Sequence, residues 1–223
     1  MDFELARIMS LIMPSLWETV YMVTLSTIFS VILGLPMGII VVISEKGHIW
    51  EHKGINNILS YLINIFRSIP FIILIIILFP LARIVVGTSI GSTAAIVPLS
   101  IAASPFVARI VETSMKEIDY GIIEAALAHG ASTIQIITKV MIKEAMPSLI
   151  LGLSLTTINI LGYSAMAGAV GGGGLGDLAI RYGFQRFQTD ILIATVIILI
   201  IVVEVIQRSG NLFARLLDKR IKE

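Results

Sequence analysis

The sequence contains no cysteine, which excludes disulfides, thiolate metal sites and a cysteine nucleophile. It is also short of charge. Asp, Glu, Lys and Arg make up 14% of its 223 residues, against roughly 25% in a soluble domain. The charges that remain nearly cancel, with 16 Lys and Arg against 15 Asp and Glu, so no nucleic-acid partner is expected. The first apolar run follows Met1-Asp2-Phe3-Glu4 and lacks the basic n-region of a cleavable signal peptide, so it is expected to stay as a membrane helix. What is abundant is apolar surface: 57% of residues are hydrophobic, the mean hydropathy is +0.97, and the excess is gathered into long runs.

A helix needs about 20 residues to cross a hydrocarbon core of about 30 Å. Only helices satisfy every backbone group of an open chain in lipid. Five runs qualify or nearly do, at residues 17–43, 58–80, 91–115, 147–169 and 190–207. The expected architecture is therefore an all-α integral membrane protein. An outer segment (1–16) would precede a transmembrane domain (17–207), whose longest inner loop is 116–146, and a basic tail (208–223) would follow. Orientation follows from the basic residues. With the N-terminus outside, the inward segments hold Lys46, Lys53, Lys116, Lys139, Lys143, Arg208, Arg215, Lys219, Arg220 and Lys222. The outward segments hold Arg7, Arg83, Arg181 and Arg186. That asymmetry predicts an outside N-terminus, a cytoplasmic C-terminus and an odd number of spans.

Several spans contain helix breakers: Gly34-Leu35-Pro36-Met37-Gly38 in the first, Pro70 in the second, Pro98 and Pro105 in the third. Either they serve bundle packing, with Gly34 and Gly38 as a small-xxx-small contact, or they kink helices that line a path. Charges at membrane depth are costly and usually functional; here they are Arg67, Arg109, Glu112 and Glu204. Arg109, Glu112 and Glu204 lie near the inner boundary, where anchoring suffices, and Glu204 precedes Arg208 by four residues, the favourable order for a helical pair. Arg67, about ten residues into its span beside Ser68 and Pro70, stays open between a pathway role and a structural pairing.

The inner loop has helical signals of its own. Ile118, Ile122, Ala125 and Ala126 recur at helical spacing, Asp119 can cap the start and Gly130 can end the helix. Ser132 and Gln135 then form a capping-box pattern, and Ile134, Ile137, Val140 and Met141 share a face of the helix that follows. Such an element either lies on lipid or docks another protein.

Glu124-Ala125-Ala126-Leu127-Ala128-His129-Gly130-Ala131-Ser132, followed by Ile142 and Pro147, resembles the EAA loop of ABC importer permeases, with Pro147 later than the family's common spacing. Phe66-Arg67-Ser68-Ile69-Pro70-Phe71, Ser104-Pro105-Phe106-Val107-Ala108-Arg109 and Tyr163-Ser164-Ala165-Met166-Ala167-Gly168-Ala169-Val170-Gly171 resemble the methionine-importer permeases. The resemblance implies a type I ABC importer permease fold in a bacterial cytoplasmic (inner) membrane. The chain would be a homodimer with two cytoplasmic ATP-binding subunits and an extracytoplasmic substrate-binding lipoprotein. It implies import of methionine; another amino acid or an osmolyte, or an ion-coupled secondary carrier, is the alternative. Glu124, Ala125, Ala126, Gly130, Ala131 and Ser132 would couple the chain to its ATPase. By symmetry and resemblance, Met166, Tyr163, Ser164 and Arg67 are the candidates for pathway and gate, with Met166 the gate because a flexible thioether packs adaptably.

No G-x-x-x-x-G-K-[ST] loop occurs, so the chain itself is expected to be no enzyme and to hold no cofactor, with ATP and magnesium on the partner. Gly171 to Gly176 formally fits a dinucleotide fingerprint, which needs a preceding strand; it follows a membrane helix and reads as a flexible turn closing the pathway outside. His48 and His52 flank Glu51, but with no third ligand in view no metal is expected.

Overall fold

The structure, a computed structural model, describes residues 2–218, with side chains from residue 6; Lys219, Arg220 and Lys222 of the basic tail lie outside it. Every regular element among the described residues is helical. Helix α1 (Asp2–Ile43) begins well before the expected boundary and is 42 residues long, about 63 Å at 1.5 Å per residue. It is followed by α2 (Lys53–Ser68), α3 (Phe71–Val86), α4 (Ser92–Lys116), α5 (Tyr120–Ala128) and a three-residue α6 (Thr133–Gln135). A wide π-helical turn (Ile136–Met141) leads into α7 (Ile142–Ala167), and further π turns flank the short α8 (Gly174–Leu178) before α9 (Thr189–Leu217). Among the described residues, four helical segments are long and apolar enough to cross a membrane, or five if α2 and α3 count as one bent span.

The bend is where the structure departs from the expected second span. α2 and α3 meet at 107°. Pro70 stands at the start of α3 with an extended ψ of 131°, where its missing N–H leaves no hydrogen bond unmade. The prolines in the interiors behave otherwise: α1 runs on through Pro36, and α4 through Pro98 and Pro105. Apolar segments tolerate proline when neighbouring groups absorb the freed carbonyl.

The chain forms two compact units. One comprises Met1–Ser30, Ile69–Ala103 and Thr157–Gln207. Its buried clusters centre on Met22, Ile75 and Leu99, on Ile12, Leu175, Leu178 and Ile191, and on Val23, Ala103 and Ile160. The other comprises Val31–Ser68, Ser104–Thr156 and Arg208–Glu223, with Val42, Val107, Val111, Met115, Ile123, Ile136 and Met141 at its centre. In this second unit Gly34 and Gly38 make a small-residue contact, the packing alternative of the two. A Cβ on either would fall about 2.5 Å from the carbonyl oxygen of Ser104 or Ala108 and against Val107 or Val111. Lipid supplies no hydrophobic drive between helices, so such close backbone approach is what holds α1 to α4.

The exposed apolar surface is extensive. On α9, Ile193, Val196, Ile197, Ile200, Ile201 and Val205 form a stripe at the three-and-four spacing of one helix face. In an aqueous protein this would be a liability; on a spanning helix it is the surface that lipid covers.

Candidate functional site

The segment at residues 116–146 is built as its local signals require. The Asp119 carboxylate accepts the Gly121 N–H at 2.8 Å and so starts α5. At the other end the Gly130 N–H donates to the Leu127 carbonyl at 2.9 Å and the Ala131 N–H to the Ala126 carbonyl at 3.1 Å. With Gly130 at φ +75°, this is a Schellman turn, in which the residue after the helix must be left-handed. Ser132 then accepts the Gln135 N–H while the Gln135 side chain accepts the Ser132 N–H at 2.9 Å, a complete capping box. The fixed spacing of Ala126, Gly130, Ala131 and Ser132 is therefore the spacing of two back-to-back caps. Ala126 and Ala131, the carbonyl and N–H partners of the wider bond, both pack against the core of their unit.

The face of α5 differs from the expected one. Ile118 and Ile123 are buried, whereas Ile122 is exposed and Ala125 points outward. A nine-residue helix that opens at Tyr120 turns Ile123, not Ile122, toward Ile136 and Met141. Ile134 is likewise 73% exposed although Met141 of its expected face is fully buried. The exposed surface of the segment thus carries Glu124, Ala125, Leu127, His129, Gly130, Ser132, Ile134 and Gln135: small and apolar groups interleaved with a carboxylate, an imidazole and an amide.

The segment is braced from behind. Tyr120 Oη donates to the Gly47 carbonyl at 2.9 Å, and its ring meets His48 edge-on at 5.9 Å. Lys116 bridges Glu45 at 3.0 Å and Glu112 at 3.1 Å, and Arg109 reaches Glu112 at 2.7 Å. Glu112 is buried, so it is more than the boundary anchor its position suggests; it joins two cations at the foot of α4. Burial holds the His48 imidazole below its ordinary value, Glu45 opposes this and Lys116 adds to it. His48 and His52 do not share a helical face. Nδ1 of His48 accepts the Ile49 N–H at 2.9 Å, Nδ1 of His52 accepts the Ile55 N–H at the start of α2, and Glu51 accepts the Gly47 N–H. These groups shape a turn.

Of the pathway candidates, Met166 is 46% exposed and borders an open cavity of about 650 Å³ with Pro70, Phe71, Ile72, Gly162, Ala165, Ala169 and Ile180. Among the described residues, no ionisable side chain lines it. Tyr163 is behind it, stacked on Phe71 with ring centres 4.0 Å apart and planes 8° apart. Ser164 is buried and donates to the Leu161 carbonyl of its own helix at 2.7 Å, so its hydroxyl does not face the cavity. Arg67, at the end of α2, lies over the Phe106 ring at 5.5 Å.

The glycine run departs most from expectation, because it is packed and not free. Gly172, Gly174 and Gly176 are buried, and a Cβ on Gly176 would strike the backbone of Ala165. Glu18 and Thr19, near the start of the first apolar run, hold it. Glu18 accepts the Gly174 N–H at 2.7 Å, and Thr19 accepts the Leu175 N–H at 2.8 Å. A carboxylate two positions into the first apolar run was the available signal.

A capped helix–turn–helix on an all-helical chain of long apolar helices, one of which borders an apolar cavity, fits the membrane component of a transport system. The chain belongs to the family of binding-protein-dependent transport system inner membrane components, whose model matches residues 34–223. It is 47% identical over 214 residues to the probable D-methionine transport system permease protein of Pasteurella multocida, covering 96% of this chain and 99% of that protein. The methionine import system permease protein of Bacillus subtilis is 44% identical over 80% of each chain. Among solved structures, an inward-facing conformation of the MetNI methionine ABC transporter matches with a TM-score of 0.94 and 41% identity, over 96% of this chain and 99% of that one.

Proposed function

We propose that this chain is the permease subunit of an ATP-driven methionine importer of the bacterial inner membrane. It works as a homodimer on two separate ATP-binding subunits and receives its cargo from an extracytoplasmic substrate-binding lipoprotein. The observation that carries this reading is the likeness, along nearly the whole chain, to a chain of a methionine ABC transporter. The chain has no phosphate-binding loop, so ATP and magnesium are held, and ATP hydrolysed, by the partner. α2 and α3 together make the second of five spans, with the N-terminus outside and the tail in the cytoplasm.

The geometry supports the following roles. Glu124, Ala125, Gly130 and Ser132 lie on the surface that docks the ATPase, while Ala126 and Ala131 hold its turn from within. The double cap makes this element stiff, so a displacement at the ATPase is passed on rather than absorbed. Met166, with Pro70, Phe71 and Ile72 across the cavity, lines the path. Two copies of Met166 facing each other across a two-fold axis make an apolar seal, where like charges would repel. Tyr163 supports that wall through Phe71. Arg67 is fixed by Phe106 and shapes the bend that places Pro70, and Ser164 secures its own helix beside the gate.

The test is purification in mild detergent followed by reconstitution. The chain is expected to carry an ATPase subunit and, with a binding protein, to import methionine on ATP. Transport by the chain alone on an ion gradient would replace this reading with a secondary carrier. Within a working complex, Met166→Ala is expected to raise leak of methionine without ATP; unchanged leak and uptake would remove Met166 from the gate.

A further inference from the structure

The contacts of Glu18 and Thr19 span 156 positions of sequence. Consecutive residues of α1 accept the consecutive N–H groups of Gly174 and Leu175, which fixes both position and register. The Thr19 hydroxyl donates to the Ser15 carbonyl at 2.9 Å, leaving its lone pairs turned toward Leu175. The segment they grip has little stiffness of its own. Gly171, Gly173 and Gly174 all have positive φ, a conformation that glycine adopts freely and leaves as freely. Its glycines also admit the grip: a Cβ on Gly173 would fall 2.7 Å from the Glu18 carboxylate, and one on Gly174 equally close to Thr19 Oγ1 and Met22 Cε. Beyond the grip, Leu175 and Leu178 pack on Ile12 and Ile191, and the Gly91 N–H ties the run to the start of α4 through the Gly171 carbonyl at 2.8 Å.

We propose that Glu18 and Thr19 are positioning residues for transport: they clasp residues 171–178 to α1, so that the two move as one piece when the outer side of the pathway opens and closes. In the orientation given above this glycine segment lies at the outer end of the gate helix α7, five residues beyond Met166. Without the clasp the segment keeps its apolar anchor but loses its register, and the outer closure no longer follows the helix that drives it. The expected defect is loss of coupling, not loss of fold.

The inference rests on the importer reading, and the wild-type complex separates the two: it must first import methionine on ATP. In the complete complex with ATPase and binding protein, Glu18→Ala and Thr19→Val are each expected to raise the ATP hydrolysed per methionine imported by about fivefold, the factor set by one net hydrogen bond. Glu18→Gln, which keeps an acceptor oxygen, is expected to stay near wild type. A merely structural role would lower assembly and leave the ratio in surviving complexes unchanged. An unchanged ratio in assembled Glu18→Ala, or in Thr19→Val should the first not assemble, overturns the proposal. Failure of all three variants to assemble overturns it too, since a clasp that only positions is not required for folding.

Discussion

Gly130 shows how a single residue holds the turn after α5 in shape. A Cβ there would meet nothing within 4 Å, so space is not the reason for glycine; the backbone angle of +75° is. Gly130→Ala is expected to destabilise the complex by about 1–2 kcal/mol, the left-handed cost for an L-residue. Gly130→Asn is expected to cost less, which thermal unfolding of the purified complex would show. His48 acts through protonation. Its folded pKa lies below the ordinary value because the ring is partly buried beside Lys116, with Glu45 opposing. The unfolded chain therefore binds the proton more readily. The stability owed to neutral His48 is whole above about pH 6.5 and is lost as pH falls through that value toward the lower, folded one. Melting temperatures between about pH 7.5 and 5.5 are expected to fall more steeply in wild type than in His48→Asn.

The helices carry two further expectations. Ala126 packs on the core while Ala125 faces outward, so a charge at each reads out differently. Ala125→Arg is expected to abolish ATPase co-purification while the chain still inserts and stays folded, whereas Ala126→Arg disturbs the fold as well. Normal co-purification of the Ala125 variant would move the docking surface elsewhere. Gly34→Leu and Gly38→Leu are each expected to cost at least about 1–3 kcal/mol by overpacking, because backbone oxygens of α4 stand where the new side chain would begin; detergent stability against urea would report it. Much of this was legible beforehand. Asp119, Gly130, Ser132 and Gln135 act as their local signals say, since a cap depends on neighbours in sequence. The faces of α5 were not legible, because one residue of phase decides whether Ile122 or Ile123 is buried and only the core partner sets it. The break at Pro70 was marked by its proline but so were Pro36, Pro98 and Pro105, which stay helical; residue type alone does not fix the outcome. Glu18 escaped because its partner lies 156 positions away.

For the whole molecule, the long apolar helices mean that the surrounding lipid is part of the structure. Helix α9 has 29 residues, about 44 Å of length, against a hydrocarbon core of about 30 Å. Its exposed apolar stripe runs from Ile193 through Val205, is interrupted by exposed Arg208 and Ser209, and resumes at Leu212, Phe213 and Leu216, so the length that seeks cover is shorter than the helix and is bounded by polar residues. Such a helix meets a thin bilayer by leaning and a thick one by standing upright, at fractions of a kcal/mol per Å of mismatch. Acyl-chain length thereby becomes a setting of the transporter: uptake measured across vesicles of graded lipid length is expected to pass through an optimum, even though no lipid takes part in the chemistry.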